Sequence, residues 1–362
     1  LCLDAKINGK RATLAFDSGT SDFVLWRQSA ERFGLEFSDA DASNALAEGV
    51  VPSGMTEVCV LSMAGKEGNA RFHVLNPPQL LSFGSFDGLV GWRNVRKSIF
   101  EIDASRGQIT FFDKLPKRVL EWTRFAIVTN SSTLRLVIPD DTLDNGVVCV
   151  DTGSQFGIGL PSHDWLIWKS QHRGQPTTLA SFVTVSGGPV AREESWARQF
   201  ALGPLLITSI PVLEERETES ALGESYKGSL GLAALKRLEL VIDGKNDFAY
   251  LRARSKKAPS YPHNRAGVIF LPDPISQSAL VAHVVVGSPA YEAGVRNGDL
   301  LKCIDEFDNV TTSEIKALKR FWQPAGTEVN IKIIRDGKIF SIMIMLRDIL
   351  GTATANGGAG RK

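Results

Sequence analysis

A four-residue turn of the form Asp-[Ser/Thr]-Gly-[Ser/Thr] occurs twice in this chain, as Asp17-Ser18-Gly19-Thr20 and as Asp151-Thr152-Gly153-Ser154. Each copy closes an apolar run, Ala12 to Phe16 (with Thr13 inside it) in one case and Val147 to Val150 in the other. Average residue usage makes such a string arise about once in 10⁴ positions. A polar β-turn at a strand end accounts for one copy, because Asp, Ser and Gly are ordinary turn residues. It does not account for two copies in 362 residues whose flanks also correspond.

The flanks are the stronger constraint. Leu1 to Ile7 alternates at period two, Asn8-Gly9 supplies the φ > 0 pair of a tight hairpin, and a second strand runs through Thr13, Leu14 and Ala15 into Asp17. Leu134 to Ile138, Asn145-Gly146 and Val147 to Asp151 repeat that order. Late in the first copy stands Asp87-Gly88-Leu89-Val90-Gly91-Trp92, and in the second Gly228-Ser229-Leu230-Gly231-Leu232. Gly91 follows its aspartate by 74 residues and Gly231 by 80. Strand pairs close both copies, Ser98 to Asp103 with Gln108 to Phe112, and Leu238 to Asp243 with Phe248 to Leu251. The aspartates stand 134 residues apart, too long a period for a solenoid. Two homologous β lobes facing one another about a pseudo-twofold axis are expected. Phe23 to Trp26 reads as a strand, and Gly49 to Val60 as a hairpin with a Gly-rich tip able to move as a flap.

Bulk properties bound the remaining classes. A chain of 362 residues, 43% hydrophobic and 22% charged, has the composition of a globular protein of two or three domains. A net charge of +1 gives no nucleic-acid footprint. Cys2, Cys59, Cys149 and Cys303 are too scattered for a disulfide framework or a zinc site, and three of them sit in apolar runs as small buried hydrophobes. The histidines, His73, His163, His172, His263 and His283, share no ligand spacing, so no metal and no cofactor is expected. His163-Asp164-Trp165 reads as a helix start, and Glu214-Glu215-Arg216-Glu217 as a solvated loop. No run of 18 apolar residues is present, so the visible chain carries no membrane span. The chain opens at Leu1 inside a strand pattern, and any signal peptide or anchor would lie upstream of it.

Two carboxylates brought side by side from symmetric lobes cannot both ionise; one pKa rises and the pair shares a proton. One aspartate can then act as general base on a water held between them while the other protonates a carbonyl oxygen. This chemistry needs neither a metal nor a nucleophilic side chain. The chain also lacks His-Glu-x-x-His, Gly-x-Ser-x-Gly, Cys-x-x-Cys and phosphate-loop patterns.

On the two aspartate turns, together with Asp87-Gly88-Leu89-Val90-Gly91 and Gly228-Ser229-Leu230-Gly231, residues 1 to 252 resemble a bacterial aspartic protease of the retropepsin-like and pepsin-like fold, with both lobes fused in one polypeptide. The resemblance implies Asp17 and Asp151 as catalytic residues. Ser18, Gly19, Thr20, Thr152, Gly153 and Ser154 would support the site, with Gly91 and Gly231 packing beneath the two turns. The chain departs from the family in two places. Ser229 puts a hydroxyl where an apolar residue is usual, and Gly49 to Val60 contains no flap tyrosine.

Arg252 to Arg265, basic and containing Pro259 and Pro262, has the composition of an exposed linker. Beyond it, Gly287-Ser288-Pro289-Ala290-Tyr291-Glu292-Ala293-Gly294-Val295-Arg296-Asn297-Gly298-Asp299 resembles the matching block of PDZ domains found in bacterial proteases. Ala282 to Val286 precedes it as a strand, Thr312 to Trp322 follows as a helix face, and Val329 to Ile334 and Ile339 to Leu346 flank an Asp336-Gly337 hairpin. A PDZ domain binds an extended peptide, often a C-terminus, by strand addition beside its helix. That site is expected at Ala266, Gly267, Val268, Ile269 and Phe270, with Ile315 and Leu318 from the helix.

The whole reads as mainly β: an acid-protease lobe over residues 1–118, a second over 119–252, a linker over 253–265, an α+β PDZ domain over 266–348 and a low-complexity tail over 349–362. The function expected is an aspartic-type endopeptidase acting on protein or peptide substrates, with a docking module for peptide C-termini. The alternative is an inactive protease-like scaffold whose PDZ domain binds peptides. The resemblance implies an extracytoplasmic location.

Overall fold

A computed structural model describes residues 1–39, 52–76, 86–138, 146–183, 189–215, 227–255, 260–273, 279–308, 310 and 318–351. The chain is mainly β, arranged in sheets of nine, twelve and six strands.

The first sheet grows from a hairpin of β1 (Cys2–Ile7) and β2 (Lys10–Asp17), turned at Asn8 (φ 46°) and Gly9 (φ 79°). Leu3, Ala5 and Ile7 on one strand and Ala12, Leu14 and Phe16 on the other face the core, as strict alternation requires. Next come β3 (Val24–Trp26), helix α1 (Arg27–Phe33), β4 (Phe37–Asp39), β5 (Gly54–Thr56), β6 (Cys59–Met63), β7 (Lys66–Ala70), β8 (His73–Leu75), β9 (Gly88–Gly91) and the short helix α2 (Trp92–Val95). The order across the sheet is β4-β5-β8-β3-β9-β2-β1-β6-β7. The hairpin expected over Gly49 to Val60 is drawn differently. Its arms are β4 and β5, paired Phe37 with Thr56, so the tip falls in residues 40–51, outside the described residues. Cys59 to Met63 belongs to a separate hairpin with β7, because Ala64 (φ 51°) and Gly65 (φ 73°) form a second tight turn.

The second sheet contains β10 (Ile99–Asp103), β11 (Gln108–Phe112), β12 (Thr123–Ile127), β13 (Arg135–Ile138), β14 (Gly146–Val150), β15 (Ile158–Pro161), β16 (Thr178–Val183), β17 (Pro189–Leu202), β18 (Leu205–Glu215), β19 (Ser229–Leu230), β20 (Leu238–Asp243) and β21 (Phe248–Ala253). Helix α3 (Ser162–Gln171) follows β15, and α4 (Leu232–Leu235) follows β19. The order is β11-β10-β20-β21-β12-β13-β14-β19-β15-β18-β17-β16. The closing pair β10–β11 therefore does not join the nine-stranded sheet. It pairs with β20, Ile99 opposite Asp243.

Pairings around the two aspartate turns recur. β2 runs parallel to β9, β3 antiparallel to β9 and parallel to β8. β14 likewise runs parallel to β19, β15 antiparallel to β19 and parallel to β18. One continuous core serves both sheets, bringing Leu14, Phe16 and Leu25 together with Phe100, Leu136, Val150 and Leu240. Phe16 meets Phe100 edge-on at 5.7 Å between ring centroids.

The third sheet, β22 (Val268–Pro272), β23 (Leu280–Val284), β24 (Leu300–Ile304), β25 (Phe307–Asp308), β26 (Glu328–Arg335) and β27 (Lys338–Met345), has its own core around Phe270, Leu301, Ile331 and Ile344. Helix α5 (Pro289–Glu292) starts at Ser288, whose hydroxyl accepts from the Tyr291 amide, with Pro289 at the first helical position. Of the expected helix over Thr312 to Trp322, residues 311–317 lie outside the described residues, and Lys319–Trp322 forms a 3₁₀ turn. The stretch before β22 is not an exposed linker throughout: His263 and Asn264 are both 2% exposed. Among the described residues no helix is long and apolar enough to cross a membrane.

Candidate active site

Each aspartate stands at the end of a strand held on both sides by its own sheet. Asp17 is the last residue of β2, opposite Gly91 of β9; Asp151 follows β14, whose Val150 lies opposite Leu230 of β19. The backbone then folds back under the carboxylate. Asp17 Oδ1 accepts from the Gly19 amide at 2.9 Å. Asp151 Oδ1 accepts from the amides of Gly153 at 2.8 Å and Ser154 at 3.1 Å.

Four reciprocal hydrogen bonds join the turns. The Ser18 hydroxyl donates to the Val150 carbonyl at 2.6 Å and accepts from the Thr152 amide at 3.1 Å. The Thr152 hydroxyl donates to the Phe16 carbonyl at 2.9 Å and accepts from the Ser18 amide at 2.9 Å. Both side chains are buried, so every polar atom at the crossing must find its partner within the protein. This crossing brings each carboxylate over the glycine of the opposite turn. A Cβ built on Gly19 would stand 2.7 Å from Asp151 Oδ1, and one on Gly153 would stand 2.5 Å from Asp17 Oδ2. Only glycine fits at either place.

The crossing thus sets Asp17 and Asp151 near enough for their carboxyls to influence each other. Asp151 keeps an edge open to solvent, yet protein crowds it on the side of the turn. Burial pushes its carboxyl above the usual carboxylate range, against the opposing pull of the Gly153 and Ser154 amides and of Asp17. Two interacting carboxyls, one of them raised, can titrate as a unit that gives and takes a proton at adjacent points.

Beneath the turns, Gly91 and Gly231 occupy matching places. The amides of Trp92 and Arg93 donate to the carbonyls of Thr20 and Ser21, and those of Leu232 and Ala233 to the carbonyls of Ser154 and Phe156. A Cβ on Gly91 would strike the Ser21–Asp22 backbone, and one on Gly231 would come within 2.5 Å of the Phe156 carbonyl. Residues 3–92 match the model of the aspartyl protease family. The match spans β1 to the start of α2 and includes the Asp17 turn, Gly91 and the packing between them. It supports an aspartyl protease domain and a protease-type activity. No curated protein matches the chain.

Several residues around this domain escape a motif reading. Asp87, just before β9, accepts from the Thr13 amide at 2.9 Å and the Ser29 hydroxyl at 3.1 Å, and pairs with Arg32. In the second sheet Glu215 takes a comparable structural part. It is not a solvated loop residue, since it ends β18 and accepts from the Ser229 hydroxyl at 2.6 Å. Glu214 likewise accepts from Ser162 at 2.9 Å. Thus the polar residue in the Gly228–Gly231 segment is satisfied by a partner two strands away, reached across Gly159 of β15. His163 and Asp164 lie in the first turn of α3, and the Trp165 side chain is buried.

The expected peptide site on the third sheet is changed by the structure. The Ala266 and Gly267 amides, the nearest donors for a peptide carboxylate, both donate to Asn264 Oδ1 at 3.0 Å. The Ala266 carbonyl accepts from Ala290, and the Gly267 carbonyl from Val285. Val268, Ile269 and Phe270 are buried in β22, and Leu318 packs against the third core. Ile315 lies outside the described residues.

Proposed function

We propose that the chain is an aspartic endopeptidase in which Asp17 and Asp151 form one catalytic dyad. The observation that carries this reading is the reciprocal Ser18–Thr152 crossing, which sets each carboxylate over the glycine of the opposite turn. In this mechanism Asp151, whose protonated form is favoured by burial, carries the shared proton, and Asp17 is ionised. Asp17 takes a proton from a water lying between the carboxyls, and the hydroxide attacks the peptide carbon. Asp151 gives its proton to the carbonyl oxygen, forming a neutral gem-diol. Asp17 then gives the proton it took to the amide nitrogen while Asp151 takes one back from a gem-diol hydroxyl. The C–N bond breaks, the amine leaves, a carboxylic acid forms and the pair returns to its starting state.

Residues 1–118 and 119–252 act in this reading as two lobes about a pseudo-twofold axis. The recurring parallel pairings β2–β9 and β14–β19 support that division. Residues 266–348 form a PDZ-like module, and the protein works outside the cytoplasm.

Asp17→Asn and Asp151→Asn should each lower peptide cleavage by about 10²–10⁴-fold, as loss of a general acid or base does. A casein or peptide-library digest from about pH 3 to 8 checks this, with native activity expected on the acid side of neutrality. A statine-type inhibitor should block the native enzyme. Undiminished cleavage by both variants would sink the proposal.

A further inference from the structure

Away from the aspartates, a cluster of buried polar side chains lies where the third sheet meets the second. Glu194, on β17, is 1% exposed, and its carboxyl accepts the hydroxyl of Tyr261 from the segment preceding β22. Opposite Glu194 on β16, the fully buried Thr178 donates its hydroxyl to the Asn264 carbonyl at 2.7 Å. Asn264 binds the start of β22 through its amide, donating to the Val268 carbonyl at 2.8 Å. β22 itself lies beside β16 and β17. Both strands of this hairpin are therefore tied at their base to the third sheet.

A second set of contacts leads from the same place to the Asp151 turn. Trp196, two residues along β17, has its ring centroid 6.1 Å from that of Tyr261. The Arg237 guanidinium lies over the Trp196 ring at 5.4 Å and donates to the Ala233 carbonyl at 2.5 Å. Ala233 is in α4, whose first amides hold the Ser154 and Phe156 carbonyls at 2.8 Å.

We propose that Glu194 and Tyr261 are positioning residues that lock the third sheet onto the β16–β17 hairpin and, through Arg237 and α4, hold the Asp151 turn in shape. This rests on reading that turn as half of the catalytic site. The third sheet is then a working part of the protease rather than an appended binding module. Its loop before β22 spends its amides on Asn264, the residue that makes the joint.

The lock responds to pH. Burial raises the Glu194 carboxyl to about 8, with the Tyr261 hydroxyl pulling it down. The ionisable group that faces it is Tyr261 from the preceding segment, which itself interacts with Arg237; its strand partners Thr178 and Leu213 carry no charge, nor does β22. At neutral pH the joint is a neutral acid against a neutral phenol. Above about pH 8 it acquires a buried negative charge.

Hydrogen exchange on the full chain tests the lock without requiring activity. Tyr261→Phe keeps the ring and removes the hydroxyl. It should speed exchange about tenfold along Thr178–Phe182 and Val190–Trp196 and at the Leu232 and Ala233 amides, while Ala12 to Phe16 stay protected. Glu194→Gln should match the native chain at pH 7 and remain protected at pH 9, where the native hairpin loosens. In a cleavage assay Tyr261→Phe should lower kcat several-fold with little change in KM. Faster exchange confined to residues 260–266, or Glu194→Gln loosening at pH 9 as the native chain does, overturns the lock. Absence of cleavage by the native protein would instead count against the protease reading, leaving exchange to decide the lock.

Discussion

Ser18 and Thr152 each satisfy two backbone groups of the opposite turn. Ser18→Ala should leave the Val150 carbonyl and the Thr152 amide without that partner in a dry crossing. The expected loss is about 1–3 kcal/mol of stability, read as a lower urea midpoint at unchanged slope. Activity should fall further than stability, because the aspartates depend on this crossing for their placement. Ser18→Thr restores the hydroxyl and should recover most of both. At this scale the aspartates are legible as strand-end turns, and the hydroxyls beside them as bracing groups. What the sequence hides is the direction of the bonds, which run between residues 134 positions apart. Spacing identifies the two turns as copies, but it cannot say that each serves the other.

Elements follow the sequence closely wherever a turn has its own chemistry. Asn8-Gly9, Ala104 to Gly107 and Asp336-Gly337 each close the hairpin their residues predict. Legibility fails where partners are set by distant packing. Pairing of β10 with β20 depends on the shared core, and the split of Gly49 to Val60 depends on β5 choosing β4 and β8. The Glu214-Glu215 pair looks like surface charge because the serines that donate to it, Ser162 and Ser229, lie on other elements. Ser229→Ala should remove the hydroxyl donor to Glu215 Oε2 and cost about 1–2 kcal/mol in thermal unfolding. A neutral effect would mean that the β18–β19 contact is held by packing alone.

For the whole molecule, Glu194 contributes one component of the dependence of stability on pH. It is set against His73, His263 and His283, whose pKa values burial lowers so that they act with the opposite sign below 6.5. Glu194 moves from its ordinary 4.5 to about 8 in the folded chain, so between those values the folded state holds a proton that the unfolded state has lost. Its stabilising contribution is complete below pH 4.5 and is lost as pH climbs to about 8. Across that window the slope is about 1.4 kcal/mol per pH unit for one group. Asp151, also raised, acts with the same sign. Urea titrations at intervals from pH 6.5 to about 8 should show stability declining with pH, and Glu194→Gln should remove most of the decline. An unchanged slope in the variant would assign it to other groups. The mainly β character was legible from the alternating apolar runs; the burial of His263 and Asn264 was not, because basic residues and prolines nearby mimic a free connector.

The crossing between Ser18 and Thr152 also limits how the two copies can diverge. Each hydroxyl is read by backbone atoms of the other copy, so a side chain lost from one turn is felt first in its counterpart. Exchange of either copy for a related segment is tolerated at this point only if the incoming turn brings a serine or threonine with it. β10 imposes a second condition, since a replacement first copy must present a strand that β20 can accept. A chain cut between the two turns would therefore leave buried backbone groups on both sides short of a partner.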